Sequence, residues 1–335
     1  MIPATRGRRP ARPHMIFLRV LAGTLIGLAA LWGALAWGFR QPSRGSEPYP
    51  NAGRADAVRL EQHVRFLSEP GAWRSLHNTP GMTRAADYIA AALSTTSATV
   101  SQQPYKAGPV ETRNVIARFG LDARPRVVIG AHYDVFGDLP GADDNASGVA
   151  GLLELARLLD GMNLPTAVEL VAYSSEEPPF FGGPEMGSAV HVAALKSSAV
   201  QVRAMISLEM IGCFTERQPH QGVLLTTIYP RHGRFIALVG RWADRDLVVD
   251  AKRRFRGASP LEVVSYSGPT GLGADLSDQR NYWAAGIPAF MVTDTAFMRN
   301  PNYHAATDTA DTLDYPRMAG VVDGVLSTVV MLASY

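Results

Sequence analysis

Imidazoles and carboxylates recur in this sequence at the ends of apolar runs. His132 and Asp134 follow RVVIGA, and Asp143 and Asp144 lie in the glycine-flanked loop GADDNASG, just before a helical pattern. Glu176 and Glu177 follow AVELVAYS, Glu209 follows AMISL, and His304 ends the PNYH segment after PAFMVTD. These side chains suit zinc and its neighbours in the first transition row. Singly, each has a plainer reading. Asp143, Asp144 and Asn145 could cap a helix, Glu176 and Glu177 before two prolines could form a solvated turn, and His132 could be a hydrogen-bonded histidine. His191, on a helical pattern with Val190 and Leu195, reads as structural. The joint occurrence points to a site, because every loop would otherwise need its own independent explanation.

The chemistry that such a set suits is two-metal hydrolysis. A carboxylate bridging two divalent ions lowers their mutual repulsion, and the ions lower the pKa of a shared water. Each ion needs a terminal histidine and carboxylate and keeps an open position. A further carboxylate fixes the tautomer of a histidine ligand, and one more stays free to move a proton from water to a leaving amine. Two histidines and five or more carboxylates satisfy that inventory.

The elements that must position these residues follow from the hydrophobic pattern. Leu60, Val64 and Leu67 recur at helical spacing, and MTRAADYIAAAL predicts a second amphipathic helix over Met82 to Leu93. Two β-like runs, ATVSQQPY and NVIARFG, precede the strand RVVIGA. Apolar strands then alternate with helical stretches up to a closing helix from about Arg317 to Ser334. Strands such as VVIGA are apolar without alternation, as expected when helices cover both faces of a sheet. The predicted fold is α/β, a three-layer sandwich with a mixed, largely parallel central sheet flanked by helices, and the candidate ligands lie beyond the carboxyl ends of its strands. Phe180 to Pro184 and Arg253 to Leu276 read as loops that wall the site.

An N-terminal transmembrane helix precedes this domain: Val20 to Phe39 contains no charged residue, about the length needed to cross a bilayer. Arg6, Arg8, Arg9, Arg12 and Arg19 form a cytoplasmic basic flank, with Trp32 and Trp37 as an outer aromatic belt. The organisation read here is a tail and anchor over 1–40, a Pro/Ser/Gly-rich linker over 41–54 and a catalytic domain over 55–335. The anchor would hold the domain on the outer, periplasmic or extracellular, side of the inner membrane. A cleaved signal peptide, with Ala34-Leu35-Ala36 as its site, would release it instead; the apolar run continuing through that site favours the anchor. The formal net charge is +2, with 19% charged and 47% hydrophobic residues, and nothing in that balance suggests a nucleic-acid partner. The single cysteine, Cys213, excludes an intrachain disulfide and a cysteine-based metal knuckle, and reads as a buried structural thiol.

The blocks HYD, PGADDNASG, SSEEPPFFGG, SLEMIG, SDQRNYW and YHAATDTADTLDY resemble those of family 28 of the metallopeptidases, in the family's order from about Arg54 to the end. These are zinc aminopeptidases related to bacterial leucyl aminopeptidase and glutamate carboxypeptidase. The resemblance implies two zinc ions, with Asp144 bridging them, Glu177 and His304 completing one site and His132 and Glu209 the other. It further implies Glu176 as general base, Asp134 as the partner orienting His132, and Tyr303 as a donor to the tetrahedral oxyanion. Two positions depart from the family. Glu209 stands where many relatives have aspartate, and Gln279 in SDQ where relatives often have histidine, leaving Asp278 as a supporting residue. The implied activity is hydrolysis of a peptide substrate, with removal of an N-terminal residue favoured. A carboxypeptidase would need a cation for the substrate carboxylate, for which Arg203, Arg253, Arg254 and Arg256 are the candidates. A one-metal glutaminyl cyclase and a metal-free binding ectodomain share the fold.

Overall fold

The computed structural model describes residues 13–42, 45–46, 54–120 and 125–334. The basic stretch Arg6 to Arg12 and most of the 41–54 linker lie outside these. α1 (Pro13–Arg40) is apolar and largely exposed, and its C-terminal end packs beside the strand 262–268. α2 (Ala57–Leu67) starts where Asp56 accepts the Val58 N–H and buries Leu60, Val64 and Leu67. α3 (Thr79–Leu93) is capped by Asn78 and buries Met82, Ala85, Ala86 and Ile89, the i, i+3, i+4, i+7 stripe of a core-facing helix.

β1 (Thr99–Ala107) and β2 (Val110–Phe119) form a hairpin closed by Gly108, whose positive φ of 55° the tight turn requires. The chain then alternates: β3 (Arg126–His132), α4 (Gly148–Leu159), β4 (Val168–Tyr173), α5 (Gly187–Ser197), β5 (Val202–Glu209), β6 (Phe235–Arg241), α6 (Arg245–Ala258), β7 (Glu262–Gly268), α7 (Gln279–Ala284), β8 (Ala289–Thr293) and α8 (Tyr315–Ala333). The eight strands form one mixed sheet in the order β1-β2-β4-β3-β5-β8-β6-β7. β4, β3, β5 and β8 are mutually parallel neighbours at its centre. β2 and β6 flank them antiparallel.

The sheet is the middle of three layers. Side chains of α2, α3, α4, α6 and α8 pack with one face into a single large core. The opposite face, through Val128, Val171, Tyr173 and Met205, meets α5 and α7. Two sequence expectations are corrected. Arg253 to Leu276 is not one loop, because α6 and β7 occupy most of it. The helix had been hidden by its charge: RDLVVDAKRRFRGA shows only Val248, Ala251, Lys252 and Phe255 to the interior. The closing helix begins at Tyr315 rather than Arg317, since Asp314 accepts the Arg317 N–H and Pro316 occupies the first turn, where its missing donor costs nothing.

Candidate metal centre

β3 ends on His132 and β5 on Glu209; Glu176 and Glu177 follow β4 within four residues, and His304 lies in the segment after β8. Because these four strands run in the same direction side by side, all four deliver to one edge of the sheet. Asp144 arrives from the β3–α4 crossover. Gly141 opens that loop with a φ of 56°, and a Cβ there would sit 2.2 Å from the Asp144 carbonyl oxygen, so glycine is required.

These residues converge around Asp144. Its Oδ1 lies 3.4 Å from His132 Nε2 and its Oδ2 3.1 Å from His304 Nε2. Glu209 Oε2 approaches His132 Nε2 at 3.3 Å, and Glu177 Oε1 approaches His304 Nε2 at 3.4 Å. Two groups of potential ligand atoms result, His132/Asp144/Glu209 and His304/Asp144/Glu177, with Asp144 in both; within each group the atoms lie within 4.8 Å of one another. Glu176 is outside both, its Oε2 4.0 Å from His132 Nε2. His304 has a φ of 53°, a strained conformation for a non-glycine residue and one that is common at functional sites. Its ring is stacked against Tyr303 at 3.8 Å and Phe136 at 4.2 Å.

A layer of hydrogen bonds behind these residues fixes them. The Asp134 carboxylate accepts the N–H groups of Glu176 and Glu177, each at 3.0 Å. His132 Nδ1 is nearer the Asp134 carbonyl oxygen, 3.2 Å, than its carboxylate, 3.6 Å, so backbone and side chain of one residue face that ring. Ser277 Oγ donates to Glu209 Oε2 at 2.7 Å. Asp278 is fully buried nearby, and burial pushes its carboxyl up to about 7. Gln279 turns away, its amide donating to Ala274 O. His191 belongs to a separate buried network with Tyr282 and Glu169.

Two supporting residues, Asp308 and Arg74, were not legible in the sequence, and two more, Asp143 and Asn145, read there only as possible caps. Asp308 accepts the N–H groups of both Asp143 (3.0 Å) and Asp144 (3.1 Å), clamping the loop from the far end of the chain. Asp143, read in the sequence as a possible cap, is buried and accepts from Gly212 N and Asn300 Nδ2. Asn145 spans the loop and β5, donating to Leu208 O and accepting from Met210 N. Arg74 is buried beneath, donating to the carbonyls of Leu67, Tyr133, Pro140 and Gly141. The acidic cluster after His304 was the one available hint of Asp308. Asp143, Cys213 and Asp294 also lie close together, but both carboxylates are satisfied by their own donors, Asp294 by the N–H groups of Cys213 and Ala296, which makes the group a structural brace.

The donor chemistry fits divalent cations. Burial and the Asp144 charge push the Glu177 carboxyl up to about 7, and its buried Oε1 has no hydrogen-bond donor beyond the approach of His304. Burial raises Glu176 well above the carboxylate range, with Glu177 and Glu209 adding to it. Burial would lower His132, but Glu209 and Glu176 overcome it and raise the imidazole. Buried carboxylates facing one another in this way bind protons or cations.

The centre opens into a cavity of about 340 Å³. One wall is acidic: Asp144, Glu176, Glu177 and Glu209. The rest is largely apolar, including Leu225, Phe235, Val239, Val264, Met291 and Phe297, and no lysine or arginine lines it among the described residues. Tyr303 borders it, its hydroxyl kept protonated by burial and the Asp144 charge.

Residues 114–329 match peptidase family M28. An Escherichia coli K12 protein, named only as uncharacterized protein YfbL, is 45% identical over 82% of this chain and 87% of its own length. A probable leucine aminopeptidase of Arthroderma otae is 29% identical over 62% of this chain, which spans about half, 54%, of that relative. Among solved structures, Legionella pneumophila LapA aminopeptidase superposes with a TM-score of 0.69 at 22% identity, over 84% of this chain and 73% of its own. Fimbriiglobus ruber glutaminyl cyclase does so with a TM-score of 0.61 at 20% identity, over 86% and 99%. At such identities the two structures show a shared fold. The extent of the family match and the 45% identical relative together show that the chain belongs to peptidase family M28, a family of metallopeptidase hydrolases.

Proposed function

We propose that this centre holds two zinc ions and removes N-terminal residues from peptides. The observation that carries the reading is the division of the Asp144 oxygens between two histidine–carboxylate pairs, the geometry of a bridging ligand. His132 and Glu209 would hold one ion, His304 and Glu177 the other. Zinc in such a site supplies Lewis acidity and a water of lowered pKa. Glu176, outside both ligand groups, would accept a proton from water in the cavity and pass it to the leaving amine. Tyr303 donates its O–H to the oxyanion of the tetrahedral intermediate. Asp134 holds the Glu176 and Glu177 amides, and so the spacing between base and ligand.

The cavity favours an aminopeptidase over a carboxypeptidase. A substrate ammonium finds the acidic wall, whereas a substrate carboxylate finds no lining cation among the described residues; Arg203, Arg253, Arg254 and Arg256 are not in that lining. The apolar wall favours a hydrophobic first side chain. α1, with its uncharged run from Val20 to Phe39, would keep the catalytic domain at the outer face of a membrane.

Metal analysis of the purified chain, with hydrolysis of matched free-amino and N-blocked peptides, tests the reading. Two equivalents of zinc and cleavage of the free-amino set alone are expected. One equivalent with ring closure of N-terminal glutamine would establish a cyclase instead, and a chain that binds no divalent metal would refute both.

A further inference from the structure

The C-terminal end of α1 is seated beside the wall of the cavity. Lys252, buried with its ammonium pushed down to about 8, donates to the carbonyls of Arg40 (3.1 Å) and Gln41 (3.4 Å) and to Ser265 Oγ (3.1 Å). Ser265 Oγ in turn donates to Arg40 O at 2.8 Å. Phe39 packs against Trp242 at 5.2 Å and stacks on Tyr266 at 5.6 Å. Ser265 and Tyr266 themselves line the cavity. The helix end and the substrate space are thus separated by one strand, β7.

The same neighbourhood carries exposed apolar side chains. Tyr229, whose hydroxyl donates to Ser265 O, closes a short turn whose outer residues, Val223 and Leu224, are 85% and 63% exposed. Leu225, in that turn, lines the cavity, as do the part-exposed Leu276 and Phe297. Trp242, beside Phe39, is 43% exposed. Aromatic rings at the end of an apolar helix mark the level of a membrane interface. The turn carrying the exposed Val223 and Leu224 is tied to the same helix end through Ser265, whose carbonyl accepts from Tyr229 and whose Oγ donates to Arg40 O.

We infer that the mouth of the cavity lies on the bilayer surface, with Val223, Leu224 and Trp242 in the headgroup layer, and that the substrates are peptides resting on that bilayer. This rests on the proposed reading of α1 as a retained span and of the cavity as the peptide site. The anchoring of that turn and of the seated helix end on one residue, Ser265, selects lipid as the partner of the exposed apolar side chains.

The test uses the full chain, mass-verified to contain α1, reconstituted in phosphatidylcholine/phosphatidylglycerol vesicles. An environment-sensitive fluorophore is attached at Leu224→Cys or, on the exposed turn after α3, at Thr95→Cys. Cys213 is buried, and the unsubstituted chain provides the labelling blank. Blue-shifted emission at 224, with quenching by shallow nitroxide lipids several-fold stronger than at 95, is expected. Equal quenching at the two positions, or a full chain that stays in solution without entering vesicles, overturns the inference. In a second arm, Val223→Glu/Leu224→Glu is assayed on one free-amino peptide in dissolved form and with a C-terminal alkyl chain held in the vesicle. Turnover of the tethered form should fall several-fold more than that of the dissolved form; equal loss on both, or on neither, overturns it. No turnover of the dissolved peptide by the unsubstituted chain would instead count against the peptidase reading, leaving the quenching to decide the membrane contact.

Discussion

Replacing Asp308 probes whether the loop carrying Asp144 is held from outside the metal centre. Its carboxylate accepts two buried N–H groups, from Asp143 at 3.0 Å and Asp144 at 3.1 Å, and its carbonyl accepts Ala142 N at 3.1 Å. Alanine leaves both loop amides without an acceptor, at about 1–3 kcal/mol for each buried orphan. Asparagine keeps one oxygen but turns an NH₂ toward a second donor, so Asp308→Asn should lose about 1–3 kcal/mol. Zinc affinity should fall about 10–100-fold in either variant, because the ligand loses the group that orients it. Both quantities are read at pH 8, above the value of about 7 to which burial and Asp143 push this carboxyl. Urea unfolding in EDTA gives the stability, and competition with a chromophoric chelator gives the affinity. Asp311→Asn, three residues on and exposed, is the control and should move neither. An Asp308→Asn chain with native unfolding free energy and native zinc affinity would refute the clamp.

Other outcomes follow from the same geometry. Glu176→Gln should retain its full zinc content while kcat on a free-amino peptide falls about 10²–10⁴-fold; unimpaired turnover would remove Glu176 from proton transfer. Arg74→Met removes the side-chain donor from four buried carbonyls, of which Gly141 O keeps a second donor, the Ala146 N–H, and should lose at least about 3 kcal/mol in urea unfolding. The metal-free chain should lose stability as pH rises from about 5 to 9. Burial first, then neighbouring acids, raise Glu177, Asp278 and Asp308 to about 7, so their stabilising protonation is complete below the ordinary carboxylate range and is lost as pH rises through 7. His304, raised to about 9 by Asp144 and Glu177 against burial, adds a contribution lost at still higher pH. Thermal melts in EDTA that rise with pH over this window would contradict that charge distribution, and added zinc should flatten the slope.

The fold was legible where burial leaves a simple pattern. Strands such as β3 and β4 are covered on both faces and read as unbroken apolar runs, and their ends announce the acidic and imidazole side chains. α6 was not legible, because its interior stripe is interrupted by arginines that reach solvent. The supporting residues were hidden for another reason. Asp308 and Asp311 are the same residue type, three positions apart in one acidic segment, yet one is buried against a loop 164 residues earlier and the other is exposed. Local spacing carries no record of such long-range pairing, so candidate ligands at strand ends can be read while the groups that hold them cannot. Tyr303 lies between the two cases: its place beside His304 was visible, its stacking on that ring was not.

The same buried acids link stability to chemistry. Asp144, Glu176, Glu177, Glu209 and Asp278 meet at one edge of the sheet, where water is largely excluded and like charges repel most strongly. Arg74 compensates from behind the loop, but it points at backbone carbonyls rather than at the carboxylates. A sheet edge selected for stability alone would carry apolar residues here, since buried ionised groups are often replaced at no loss of stability. In the metal-free chain, protons are the counter-charge, and they leave as pH rises. Divalent ions held by Asp144 and the two histidine–carboxylate pairs would replace them without neutralising Glu176, which lies outside both groups and which the proposed mechanism needs free to accept a proton. Stability measured against pH with and without zinc therefore reads the same charge distribution as catalysis does, and a variant that repairs one by removing a carboxylate should damage the other.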